Sequence, residues 1–357
     1  MLAKNAMILV LVILLGTSIT ETKRKKTSSN HARGTKNRGA QPFAIKSRLQ
    51  TFQPIIGILA QEATGRITRE ISGQYIKASY AKMIETAGAR VVPVLYPSIY
   101  DNMGRINQSP QQIQNIFNSI NGLLLPGGHV KLQKSGYGRV GKMLYEMAVQ
   151  SNRQGQPFPI WAECLGLELI ALLASGRGLA RGQYDTELLD RTDSKIYSKP
   201  LNISKDYKQS QLLGSADSTM IQYMMRDLKA YNNHDKSLTP EKYNKYPSLK
   251  SAFRIVSTNK DRKGKEYIST MEGRKFPFFL FHWHPNKARF EQLENHPVHH
   301  PSHESFLIAQ YLTKLFVDIA RQNNHRFATT QKEKAALIQN YTPKKLEDGR
   351  LIYQFKM

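Results

Sequence analysis

The sequence predicts an α/β fold: a three-layer α/β/α sandwich on a mostly parallel sheet, with a small antiparallel extension. Three observations predict it. Between residues 54 and 174, four short continuous apolar runs alternate with stretches whose apolar residues recur at three- and four-residue spacing. Continuous runs read as strands buried on both faces, and alternation with helices makes neighbouring strands parallel. Beyond residue 250, three more apolar segments lie close together, as antiparallel neighbours do.

Taken in order, residues 54–60 (PIIGILA) form the first strand. Residues 74–87 carry Ile76, Tyr80, Met83, Ile84 and Ala87 at helical spacing, and Gly88 stops that helix. Residues 90–95 are the second strand. Ser109 and Pro110 open the next helix as N-cap and first helical residue. Residues 122–125 are the third strand and run into Pro126-Gly127-Gly128. A helix through Val140, Leu144 and Met147 follows, then a fourth strand at 158–161 and a helix at 165–174. Residues 180–250 are polar and weakly periodic, so they read as an insertion of short strands and loops. Strands at 253–257, 266–271 and 277–283 supply the antiparallel extension. Residues 303–321 form a strongly amphipathic helix through Leu307, Ile308, Tyr311, Leu312, Leu315 and Ile319.

The domain reading is a signal peptide (1–20), a basic disordered leader (21–50), a catalytic body (51–327) and a C-terminal tail (328–357). Lys4 precedes the apolar run 7–15, which is too short to span a bilayer and fits a cleaved secretory signal. The leader holds nine Lys and Arg against Glu21. It lacks interleaved aromatics, so no nucleic-acid partner is expected.

The chain has 52 Lys+Arg against 27 Asp+Glu, a formal charge of +25. A body this basic attracts polyanions, including small substrates with several carboxylates. Cys164 is the sole cysteine, which excludes an internal disulfide and a multi-thiolate zinc site. The histidines of 296–303 do not match zinc spacing, so neither metal nor cofactor is expected, and His303 reads as the start of a helix.

Cys164 lies between a strand and a helix in PIWAECLG, the arrangement of a nucleophile elbow. Ala162 and Gly166 are the small residues this turn needs on either side. The helix N-terminus behind it favours thiolate, so rapid labelling near neutral pH is expected. A thiol nucleophile needs a base. His284 ends the apolar strand that leads into His282-Trp-His-Pro-Asn286, and His282 is the fallback. Gly127 and Gly128, with Leu165 N–H, are the expected oxyanion donors.

These segments in this order (LLLPGGHV, PIWAECLGLELI, EYISTMEG and FHWHP), with PIIGILAQE and YIKASYAKMIETAGARVVPV, resemble gamma-glutamyl hydrolases of the class I glutamine amidotransferase-like superfamily. The resemblance runs from about residue 54 to 327. It implies a flavodoxin-like fold and Cys-His hydrolysis of γ-glutamyl bonds in folyl-poly-γ-glutamates. By motif position Cys164 is the nucleophile, His284 the base and Glu168 a substrate-site glutamate, with His234, Tyr80 and Glu62 as further substrate-binding candidates. Homodimerisation, and a lysosomal, vacuolar or extracellular destination without a retained membrane span, follow from the resemblance and the signal. Asn202 is the preferred glycosylation acceptor, since Pro follows the motifs at Asn107 and Asn340.

The chain departs from the family at one point. Where His-Pro-Glu is usual, it reads His284-Pro285-Asn286. Asn286 is expected to orient the imidazole through its carbonyl, with slower turnover that Asn286→Glu would restore. The competing readings are a catalytically weakened or inactive binding protein for polyanions, a glutaminase serving a synthetase, and a nucleic-acid binder.

Overall fold

The computed structural model describes residues 49–96, 110–179, 187–291 and 302–356. The signal, nearly all of the leader, Asn107, Ser109 and the histidines at 296, 299 and 300 lie outside them.

The sheet begins with β1 (Ile55–Leu59). After β2 (Gln61–Glu62), β3 (Gln74–Lys77) and α1 (Ala78–Thr86), the chain returns as β4 (Arg90–Val94). Then come α2 (Pro110–Phe117), β5 (Gly122–Leu125), α3 (Gly136–Arg153), β6 (Ile160–Glu163) and α4 (Leu165–Ala174). The insertion supplies β7 (Asp190–Lys199), β8 (Asn202–Ile203), α5 (Ser218–Gln222), β9 (Ala230–Ser237), α6 (Pro240–Asn244) and α7 (Pro247–Ala252). The body closes with β10 (Phe253–Lys260), β11 (Glu266–Gly273), β12 (Phe278–Phe281), α8 (Lys287–Phe290) and α9 (His303–Ala320). The C-terminal segment adds α10 (Thr330–Ala336), β13 (Lys344–Lys345) and β14 (Leu351–Phe355).

Eight described strands make the main sheet, in the order β4-β1-β5-β6-β12-β11-β10-β8. From β4 to β12 every pairing is parallel, and from β12 to β8 every pairing is antiparallel. The predicted α/β architecture and its antiparallel extension are both present.

Strand alternation splits the core into two layers. Ile55, Leu59, Leu123, Leu125, Ile160, Ala162, Phe278 and Leu280 pack on the face covered by α2, α3 and α4. Their neighbours Ile56, Ile58, Leu124, Trp161, Phe279 and Phe281 pack on the face covered by α1 and α9. This is the period-two geometry of a strand buried on both sides. Trp161 packs with its ring tilted 35° against Phe281, centroids 4.3 Å apart, and meets Phe316 of α9 edge-on at 5.8 Å. Each such buried side chain contributes about 1.5–3 kcal/mol.

Three expectations are corrected. The helix expected at 74–87 begins only at Ala78, because residues 74–77 form β3, paired with β2 on one side and β14 on the other. Ile76 suits both periodicities, and a partner near residue 352 is invisible to local pattern. The C-terminal segment is therefore no appended tail: β14 belongs to the four-stranded sheet β13-β14-β3-β2. The insertion carries longer strands than expected, with β7 and β9 pairing as an antiparallel ladder.

Candidate active site

Three parallel strands end at one place. β5 runs into Gly127-Gly128, β6 into Glu163-Cys164, and β12 into the His282–Asn286 turn, at the carboxyl edge where open α/β sheets bind ligands. Registers fix the alignment. Leu125 pairs with Ala162, Phe281 pairs with Glu163, and Cys164 N–H donates to Phe281 O at 2.7 Å.

Cys164 has φ 51 and ψ −105, a conformation strained for any residue with a Cβ. The turn also demands Gly166, where an added Cβ would lie 2.3 Å from Leu125 O. The glycine loop is equally close. A Cβ at Gly127 would stand 2.9 Å from Cys164 Cβ and 3.0 Å from His284 Cε1, so the loop, the thiol and the imidazole converge. At Gly128 a Cβ would fall on the Gln61 side chain, whose amide donates to Pro126 O and Gly127 O at 3.2 and 2.9 Å.

The imidazole of His284 is buried. Its Nδ1 lies 2.6 Å from Glu163 Oε1, and the same oxygen accepts from Tyr80 Oη at 2.8 Å. Tyr80 Oη accepts in turn from Gly127 N–H at 2.9 Å. Asn286 does not touch this array through a hydrogen bond. Its Nδ2 donates to Ser79 Oγ at 2.9 Å, and Ser79 donates to Glu291 at 2.8 Å. The orienting role expected of Asn286 is thus corrected: the carboxylate on the ring is Glu163. Sequence reading missed it, although a charged residue closing an apolar strand just before the nucleophile is itself a signal, since burying a carboxylate is costly.

The other candidates separate. Gly127 N–H is occupied by Tyr80, whereas the N–H groups of Gly128 and Leu165 meet no protein acceptor among the described residues. Those two N–H groups remain available to a ligand. Tyr80 is fully buried beneath the loop and lines no open surface. Glu62 accepts from Gly136 N–H at 2.6 Å, at the start of α3. Glu168 lies 3.6 Å from His282 Nε2. His234 is buried, bonded to Asn232 at 3.1 Å and Ser237 at 3.0 Å, and stacked on His282 with centroids 3.7 Å apart. His282, the fallback base, is therefore part of a packed imidazole pair. His303 begins α9 as expected, with Ser302 as its cap. No cluster of three metal-ligating side chains occurs among the described residues.

Burial governs the protonation states. It pushes the Cys164 thiol up to about 12, reinforced by the Glu168 and Glu163 carboxylates and opposed by the Lys287 and Lys77 ammoniums. It lifts Glu163 to about 8, against the Tyr80 hydrogen bond and the same two lysines, and drives His284 well below its ordinary range. Burial also keeps Tyr80 a phenol. Burial opposes the thiolate that the helix N-terminus favours, so slow labelling is expected in place of rapid labelling. Iodoacetamide should alkylate Cys164 on the order of 10²- to 10³-fold slower than free cysteine at pH 7. The rate should still be climbing above pH 9, because a raised thiol pKa defers ionisation to higher pH. A plateau near neutrality would show that the helix and the lysines prevail.

A family model described as Peptidase C26 matches residues 54–286. The gamma-glutamyl hydrolase of Homo sapiens is 36% identical over 291 residues, covering 82% of this chain and 85% of that protein. Gamma-glutamyl hydrolase B of Dictyostelium discoideum is 32% identical over 291 residues, covering 81% and 78%. A solved glutamine amidotransferase from Thermotoga maritima aligns over 76% of this chain and 99% of its own, at 9% identity and a TM-score of 0.40.

Proposed function

The chain belongs to the gamma-glutamyl hydrolase family, peptidase C26, and on that premise we propose that it hydrolyses γ-glutamyl bonds of folyl-poly-γ-glutamates through a Cys164 thioester. The observation that carries this reading is the strained Cys164 turn, closed in by the Gly127-Gly128 loop and the imidazole of His284.

In this mechanism the Cys164 proton passes to His284 Nε2 as Sγ bonds to the γ-carbonyl carbon. The tetrahedral oxyanion meets the N–H groups of Gly128 and Leu165, whose preorganised dipoles stabilise charge that develops there. The imidazolium returns the proton to the leaving amine and the C–N bond breaks, leaving a thioester. Water then gives a proton to Nε2 and attacks the thioester carbon. Sγ departs, regains its proton, and a free γ-carboxylate is released.

Substrate charge supports the reading. A polyglutamate carries one α-carboxylate per residue. Lys77 and the buried Lys287 act electrostatically on Cys164, and Lys195 joins them at His129. The positive potential they create at the site favours a polyanion. Glu163 on the imidazole supports the hydrolase over the inactive-binder reading. The same proposal includes a homodimer in the lysosome, vacuole or extracellular space. It also includes a glycan on Asn202, which is exposed in β8. No described helix is long and apolar enough to cross a membrane.

The test is incubation of the full chain with pteroyl-penta-γ-glutamate at mildly acidic and neutral pH, following chain length by mass spectrometry. Shortened pteroyl-glutamates are expected. An intact pentaglutamate at both pH values, from folded protein, would defeat the proposal.

A further inference from the structure

We propose that Glu163 is the positioning carboxylate of His284, and that Tyr80 couples it to the glycine loop. The proposal rests on the thiol-hydrolase reading and deepens it.

Glu163 is the last residue of β6, fully buried, directly before the nucleophile in the chain. Its partners are specific. Oε1 takes a 2.6 Å contact from His284 Nδ1 and a 2.8 Å bond from Tyr80. This oxygen is spent on the ring of the base and on the phenol that holds Gly127 N–H.

The chemistry follows from the atoms. An Nδ1–H donated to the ionised form of Glu163, which Lys77 and Lys287 favour against burial, fixes the tautomer that leaves Nε2 with its lone pair, the form able to accept the thiol proton. When Nε2 becomes protonated, the carboxylate compensates the new charge in a site where water is scarce. Asn286 supplies neither effect: its Nδ2 donates to Ser79, and its Oδ1 accepts from no described residue, the His284 ring included. The two functions that sequence assigns to one turn are divided here between two strands: β12 brings the imidazole and β6 brings both the thiol and the carboxylate. The Phe281–Glu163 register brings them level.

Tyr80, Tyr231, Lys77, Lys287, Glu291, His234 and His282 are the other described titratable groups that face or act on the pair, besides Cys164. All of them remain in Glu163→Gln, so a change in pH profile reports the carboxylate. Three readings on the full chain test the proposal. Glu163→Gln should lower kcat about 10²- to 10⁴-fold with KM changed less than about 3-fold. Its acidic limb in kcat/KM should move to lower pH, because an imidazole without a facing carboxylate is harder to protonate. Glu163→Asp should recover part of the lost kcat. Independently of substrate, the deshielded Nδ1 proton of His284 should appear in the proton spectrum of ¹⁵N-histidine-labelled protein. It should vanish in Glu163→Gln and persist in Asn286→Ser.

A proton signal that persists in Glu163→Gln would overturn the proposal, as would kcat within about 3-fold of the parent with an unmoved acidic limb. Loss of the signal in Asn286→Ser but not in Glu163→Gln would restore Asn286 as the partner. Because the spectrum needs no turnover, failure of the hydrolase reading stays distinguishable from failure of this one.

Discussion

Replacing Cys164 with alanine will abolish shortening of a γ-glutamyl chain, by about 10³-fold or more in kcat, and replacing it with glycine will do the same while making the protein more stable. The first half follows from chemistry: no other side chain at the site offers a nucleophile to the His284 imidazole. The second follows from backbone geometry. Cys164 and Ile196 are the described non-glycine residues with positive φ. A conformation of this kind costs roughly 1–3 kcal/mol wherever a Cβ is present. Alanine keeps the Cβ and so keeps the strain. Glycine removes it, and gives back about 0.5–1 kcal/mol through the freedom of its unfolded chain. Glycine should therefore exceed alanine by about 1 kcal/mol, or roughly 2–4 °C in thermal midpoint. Equal midpoints would mean that the turn stores no strain, and residual turnover in the alanine variant would dismiss Cys164 as the nucleophile.

The second large effect is at Gly127. Alanine there will cut kcat by about 10²-fold or more with little change in melting. Its Cβ would intrude at 2.9 Å on Cys164 Cβ, 3.0 Å on His284 Cε1 and 3.3 Å on Tyr80 Oη. These are the reacting side chains and the phenol beneath them, so relief of the clash displaces the base from the thiol. Gly166→Ala provides the contrast. Its Cβ meets Leu125 O at 2.3 Å, a backbone atom of β5 that cannot swing aside, so that change should lower the melting point as well. A Gly127→Ala enzyme with more than half the parent activity would place the loop outside the reacting geometry.

Most of this site was legible because its parts sit at strand ends that local pattern reveals. Cys164 and Gly127-Gly128 each close an apolar run, and His284 lies just past one. What stayed hidden depended on partners distant in sequence. Glu163 stands 121 positions from the ring it holds. An elbow motif specifies small residues on either side of the thiol, and says nothing of the residue that immediately precedes it. Asn286 was misjudged for the same reason: proximity to His284 in the chain stood in for proximity in space. Tyr80 had the right spacing for a helix, which carries no information about the atom its hydroxyl reaches. β3 read as helix because its strand partner, β14, arrives at the far end of the polypeptide.

That pairing makes a remote strand part of the site's foundation. β3 leads straight into α1, which carries Ser79 and Tyr80, and β3 is clamped by residues 352–355. A polypeptide cut short before β14 lacks the strand that secures the base of α1, and the contacts from Gly127 to His284 lose that anchor. The chain ended at residue 345 should leave the pentaglutamate intact, and the chain through residue 357 should shorten it. Equal activity from both would show that α1 holds its place without its last partner.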